Sequence, residues 1–103
     1  MLESEIKVIQ EAKKELLDEG FVIIGIFGSE ARGEAKPNSD VDILYRLDTR
    51  KFLSKYGGFR AYSRIDEIKE LLKSRLHKDV DLADADTLNE IGKKYILKDL
   101  VTL

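Results

Sequence analysis

The sequence predicts an α/β fold of the α+β kind, a small mixed sheet with helices packed on one face, in a single domain spanning residues 1–103. Three observations carry this. "FVIIGIF", residues 21–27, is apolar on both parities; "DVDILYRLD" and "KDVDLAD" alternate apolar with acidic residues; three further stretches repeat apolar residues at three- and four-residue steps.

Leu2, Ile6, Ile9, Ala12 and Leu16 mark a first amphipathic helix that Gly20 terminates. Residues 21–27 follow as a central strand covered on both faces, and Gly25 within it marks a close approach to the backbone. Residues 28–39 read as a Gly-rich turn, with one helical turn from Ser29 to Gly33 and a loop through Pro37 and Asn38. The second strand starts near Asp40, with Val41, Ile43, Tyr45 and Leu47 on one face and Asp40, Asp42, Arg46 and Asp48 on the other, where only Leu44 is apolar. Residues 49–62, with a Gly-Gly pair and scattered Lys and Arg, read as an irregular connection holding a short helix. Ser63, with Asp66 three residues on, offers the N-cap of a second long helix whose stripe is Ile65, Ile68, Leu71, Leu72 and Leu76. Val80 and Leu82 then oppose Asp79 and Asp81 in a third strand. Thr87 and Glu90 form a capping box for a last helix with Leu88, Ile91, Tyr95 and Ile96 on its buried side. The acidic residues of both alternating strands land on the sheet face left partly open.

The composition excludes several chemistries. No cysteine is present, which removes disulfides, thiolate catalysis and cysteine-ligated metals. Lys+Arg total 18 and Asp+Glu 20, with the signs interspersed, so no general attraction to nucleic acid is expected. The start "MLESEIKVIQ" lacks the pattern of a signal peptide, and the longest apolar run is too short to span a bilayer, so a cytoplasmic location is expected. The P-loop and EF-hand patterns are absent, and the single histidine, His77, reads as a favourable charge at a helix end.

The stretch "GSEARGEAKPNSDVD", residues 28–42, is where chemistry concentrates. Two Asp two residues apart on a strand place their Cα atoms roughly 6.5–7 Å apart on one side, close enough to serve metals about 3.5–4 Å from each other. Oxygen ligands suit magnesium or manganese, which fill the rest of their coordination with water and substrate phosphate. Asp81 supplies a third carboxylate if its strand lies alongside, and accepts a proton from an attacking hydroxyl. Asp79 shares its face and is a rival. Gly28 lets backbone approach a phosphate, and Ser29 adds a hydroxyl at the start of a helical turn. Each feature alone has a plainer reading: glycine and serine after a strand form a turn, a D-x-D is a solvated strand edge, and Arg32 pairs with Asp40 or Glu34 as readily as with phosphate.

Together, Gly28 and Ser29, ten intervening residues, then Asp40, Val41 and Asp42 resemble the G-S-x(10)-D-x-D signature of the DNA polymerase β-like nucleotidyltransferase superfamily. The fuller string "GSEARG...SDVDIL" is similar to its minimal, MNT-type branch, and the resemblance runs over nearly the whole chain. It implies the polymerase β-like nucleotidyltransferase fold and a magnesium-dependent transfer of AMP from ATP. Gly28, Ser29 and Arg32 would then bind nucleotide, and Asp40, Asp42 and Asp81 would hold two Mg2+ (or Mn2+) ions and act in catalysis. It further implies an antitoxin that adenylylates a tyrosine of a partner HEPN-domain ribonuclease toxin; from the composition no membrane and no direct nucleic-acid binding are expected, and a homo-oligomer is compatible with the pattern. The alternative is a catalytically weak binding module that neutralises its partner by stoichiometric contact. Glu30 departs from the family pattern and puts a negative charge near the expected phosphates; the 49–64 connection is long and suits partner binding or dimer formation.

Overall fold

A computed structural model describes residues 1–34, 36 and 38–103. Its elements are α1 (Glu3–Leu17), β1 (Phe21–Phe27), α2 (Gly28–Arg32), β2 (Val41–Leu47), α3 (Thr49–Lys55), α4 (Phe59–Leu76), β3 (Val80–Asp84), α5 (Glu90–Asp99) and β4 (Val101–Thr102). The sheet order is β3-β2-β1-β4, with β1 antiparallel to both β2 and β4 and β2 parallel to β3. The sheet is therefore mixed, as the alternating segments imply. Of the loop expected through Pro37 and Asn38, Pro37 lies outside the described residues.

The core forms where α1 and α4 cover one sheet face. Ile9, Ala12 and Leu16 of α1 and Ile68, Leu72 and Leu76 of α4 pack on Phe21, Ile23, Val41, Ile43 and Val80. Burying each of these side chains larger than Ala12 contributes about 1.5–3 kcal/mol relative to exposure. Gly25 sits at a register shift between β1 and β2, and a Cβ there would overlap the Val101 carbonyl. The close approach expected at that glycine is made by strand β4, a two-residue strand with no apolar pattern of its own.

Two local expectations are corrected. Ser63 is not an N-cap: α4 begins at Phe59 after Gly58, whose φ is 61°, and the Ser63 hydroxyl donates to the Phe59 carbonyl at 3.5 Å. The Gly57-Gly58 pair breaks the chain, and nothing in "FRAY" stops helix from propagating. The short helix expected within residues 49–62 is α3, capped by Asp48, whose carboxylate accepts from the Lys51 N–H at 3.4 Å. The Thr87–Glu90 capping box does not form: Asn89 caps α5 through the Gly92 N–H at 2.7 Å, and the Thr87 hydroxyl donates to the Asp84 carbonyl.

The buried side of α5 also differs. Ile96 is buried and Leu88 half-buried, whereas Ile91 and Tyr95 are 79% and 74% exposed. At about 100° per residue, turning Ile96 inward carries Tyr95 and Ile91 to the flank. Ile96 packs on the face opposite α1 and α4, sharing a cavity of about 280 Å³ with Leu44 and Ile24. The two long helices thus share one face as expected, and α5 covers part of the other. Among the described residues no helix is long and apolar enough to cross a membrane.

Candidate active site

The antiparallel register pairs Phe27 with Asp42, and the parallel register pairs Asp42 with Asp81. Asp42 therefore sits between the end of β1 and Asp81, one strand spacing from each, about 4.8 Å in the ladder direction. The β2–β3 pairing begins with the Val41 N–H donating to the Asp79 carbonyl at 2.9 Å. Asp40 and Asp81 are exposed and Asp42 is half-buried. The structure thus brings Asp40, Asp42 and Asp81 to one end of the sheet.

Their charges interact. Partial desolvation, then the Asp81 charge and a hydrogen bond shared with it, push the Asp40 carboxyl above its ordinary value. Partial desolvation, then Asp81 and Asp40, push Asp42 up too, while Arg32 pulls it down. No ion pair engages any of the three among the described residues. Asp79, the rival, lies 3.5 Å from the Lys73 ammonium. Its charge still adds to the field at Asp40.

This like-charged oxygen set fits a hard divalent cation, which would relieve the repulsion. No three Asp, Glu or His side chains form a finished metal cage among the described residues.

Gly28 provides the wall opposite Asp42. Its φ is +77°, and a Cβ would overlap Asp42 Oδ2 and lie 3.2 Å from Cγ. Only glycine suits both the backbone conformation and the contact. α2 starts at this residue, and Phe27, at its N-cap, offers no side-chain acceptor, so the first N–H groups of the turn are left for another acceptor. Ser29 follows in the first turn and is half-buried. Gly33 closes the helix in the left-handed conformation.

Arg32 lies one turn beyond Ser29. Its guanidinium donates to Asp99 at 2.7 Å and Glu34 at 3.1 Å. Hydrogen bonds to these two carboxylates raise its pKa further. Glu34 was one of the two expected partners; Asp40 is not engaged, and Asp99, 67 residues away, carries no local signal. His77 is the C-cap of α4 with φ 55°, beside a polar cleft of about 490 Å³ that includes Ser39, Lys73 and Asp79.

Glu30 departs from expectation. Its carboxylate is not directed at the turn's solvent side but is only 3% exposed, 2.8 Å from the Lys78 ammonium. The same ammonium is 3.0 Å from Glu5. Residues 49–64 hold five basic side chains and no acidic one. Arg64 pairs with Glu19 and Arg60 with Glu67, while Phe59 and Tyr62, at 92% and 74% exposure, border a groove of about 880 Å³ between α3 and α4.

The sequence profile of the nucleotidyltransferase domain family matches residues 6–102. The protein adenylyltransferase MntA of Thermococcus cleftensis is 37% identical over 99 residues, covering 94% of this chain and 91% of that protein. A protein of Methanocaldococcus jannaschii assigned as a protein adenylyltransferase is 35% identical over 101 residues, covering 95% and 94%. Among solved structures, one described as a minimal nucleotidyltransferase superposes with TM-score 0.66 at 24% identity, covering 91% of this chain and 87% of that one. A chain from a crystal structure of a toxin-antitoxin with AMP-PNP superposes with TM-score 0.70 at 22% identity, covering 98% and 72%. At these identities the two structures speak to fold, and the fold is that of a nucleotidyltransferase. With a family profile spanning nearly its whole length and relatives above 30% identity over most of theirs, the chain belongs to the nucleotidyltransferase domain family and is an enzyme of that class.

Proposed function

We propose that the protein transfers AMP from ATP to a tyrosine hydroxyl of a partner HEPN-domain toxin, in a magnesium-dependent reaction that silences the toxin. The observation that carries the reading is the packing of the Gly28 backbone against the Asp42 carboxylate, in register with Asp81. It puts a turn suited to phosphate beside carboxylates suited to metal. The adenylyltransferase relatives support a protein acceptor and ATP as donor. The toxin-antitoxin neighbour supports the kind of partner, and its AMP-PNP an adenine nucleotide substrate. The reading places the protein in the cytoplasm, where ATP is available.

When bound, the divalent cations supply positive charge at the triphosphate. Gly28 and Ser29 hold the phosphates through backbone N–H groups and the serine hydroxyl, and Arg32, fixed by Asp99, adds positive charge on the same side. Asp40 and Asp42, with Asp81, would hold those cations, and only through them can carboxylates face an anionic triphosphate. Asp81 accepts the proton of the acceptor hydroxyl as its oxygen attacks the α-phosphorus; the new O–P bond forms, the bond to pyrophosphate breaks, and pyrophosphate leaves.

Two experiments test the assignment of roles. Asp81→Asn is expected to cost at least about 100-fold in transfer rate, and Asp79→Asn less than a few-fold, because Asp81 is the residue in register with Asp42. The opposite order would move the third carboxylate to Asp79. Ser29→Ala is expected to weaken ATP binding by about 10-fold or more, the value of a hydrogen bond to a charged group. Unchanged affinity by calorimetry would make Ser29 part of a turn and nothing else.

A further inference from the structure

Glu30 directly follows the Gly28-Ser29 pair, yet it is buried rather than solvated. Its Oε1 accepts from Lys78 Nζ at 2.8 Å, and Glu5 Oε2 lies 3.0 Å from the same ammonium. The three side chains are 1%, 22% and 10% exposed for Glu30, Lys78 and Glu5. One ammonium therefore joins the first turn of α1, the turn helix α2 and the segment leading into β3. The second oxygen of Glu30 has no hydrogen-bond partner among the described residues and lies 3.8 Å from the Met1 ammonium, so Lys78, hydrogen-bonded at 2.8 Å, is the nearer of two cations that balance its charge. Glu5 is anchored in turn by the Leu2 N–H at 3.0 Å.

Buried ion pairs are an inefficient way to stabilise a fold, since apolar side chains of similar volume usually do as well or better. What this pair does that apolar packing would not is fix geometry. Ammonium and carboxylate hold a definite distance and direction, whereas apolar contacts slide. We propose that Lys78 is a positioning residue for nucleotidyl transfer: held between Glu30 and Glu5, it fixes the Gly28-Ser29 turn relative to Asp81, three residues further along the chain. The inference rests on the reading of that turn as the phosphate holder and of Asp81 as the third carboxylate. Lys78 touches neither substrate nor reacting atoms in this role. Hydrogen bonds to Glu30 and Glu5 raise its pKa, which favours the charged form.

The test compares Lys78→Arg, Lys78→Met and the double variant Glu30→Met/Lys78→Met with wild type. Amide hydrogen exchange is followed without nucleotide or metal, and ATP affinity by calorimetry with magnesium. Lys78→Met leaves Glu30 only the more distant Met1 ammonium, at 3.8 Å, so a lower melting temperature is expected from structural loss alone. The double variant removes that charge as well and is expected to recover the melting temperature. If Lys78 positions the turn, the double variant still exchanges faster at residues 28–33 and binds ATP at least about 10-fold more weakly, while Lys78→Arg stays near wild type. A double variant with wild-type exchange and ATP affinity would overturn the proposal and leave the bridge as packing. If Lys78→Met does not fold, the double variant and Lys78→Arg decide. Wild-type protein that binds no ATP would defeat the functional reading, and the exchange comparison would still decide whether Lys78 holds the turn.

Discussion

Asp42→Asn is expected to lower AMP transfer by at least about 100-fold while leaving a folded protein that, without metal, melts above wild type. Groups that merely support a metal ligand cost about 10–100-fold when removed, so loss of an anionic ligand between both partner strands should cost no less. Stability should move the other way. Desolvation and the charges of Asp81 and Asp40 raise the Asp42 pKa, so its ionised form is held in the fold against repulsion. Asparagine removes that repulsion at nearly constant shape, a trade of stability against activity common at functional sites. The same shifts set the pH response. Asp40 and Asp42 bind protons more tightly in the folded state than in the unfolded one. Their contribution to stability is therefore full below the ordinary aspartate range and is lost as pH rises through the raised values. Metal competes with those protons, so magnesium affinity should fall over the same interval as pH drops. Thermal melts of wild type and Asp42→Asn across this range, with and without magnesium, check all three expectations. A variant that keeps transferring AMP would remove Asp42 from the metal site.

Gly28→Ala should be nearly as damaging, by a different route. The backbone there has φ +77°, which costs a residue with a Cβ about 1–2 kcal/mol. The added methyl would also collide with Asp42 Oδ2, and the carboxylate must move aside. Misplacing a reacting group by about 1 Å can cost about 100-fold. Gly33 provides the control, because its φ is +73° and nothing lies within 4 Å of the corresponding Cβ position. Gly33→Ala should lose similar stability and retain transfer. If both glycine variants lose activity equally, backbone strain rather than the Asp42 contact is responsible.

What could be read from sequence is what depends on local pattern. The both-sided apolar run became β1 between two neighbours, and the alternation in residues 40–48 put Val41, Ile43 and Tyr45 in the core with Asp42 on the other face. The spacing of the turn and D-x-D became legible as a site because one short helix and one strand return connect them. Features set by long-range contact were not legible. Glu30 turns inward because Lys78 meets it 48 residues later, and Arg32 finds Asp99 across 67. The rotation of α5 follows from Leu44 and Ile24 accepting Ile96, which no periodicity within residues 87–96 specifies. The start of α4 was misplaced because a Ser-x-x-Asp pattern looks like a cap wherever it occurs, while the break that matters is Gly57-Gly58.

The proposed reaction is AMP transfer by this fold to a partner protein. Its most direct test is intact-mass spectrometry of the HEPN-domain toxin after incubation with ATP, magnesium and this protein. The expected result is a gain of one or more adenylyl units on a tyrosine, absent when Asp42→Asn replaces wild type and absent when magnesium is chelated. A stable complex with silenced toxin and no gain in mass would contradict it, and would make the protein a binding module that acts by contact.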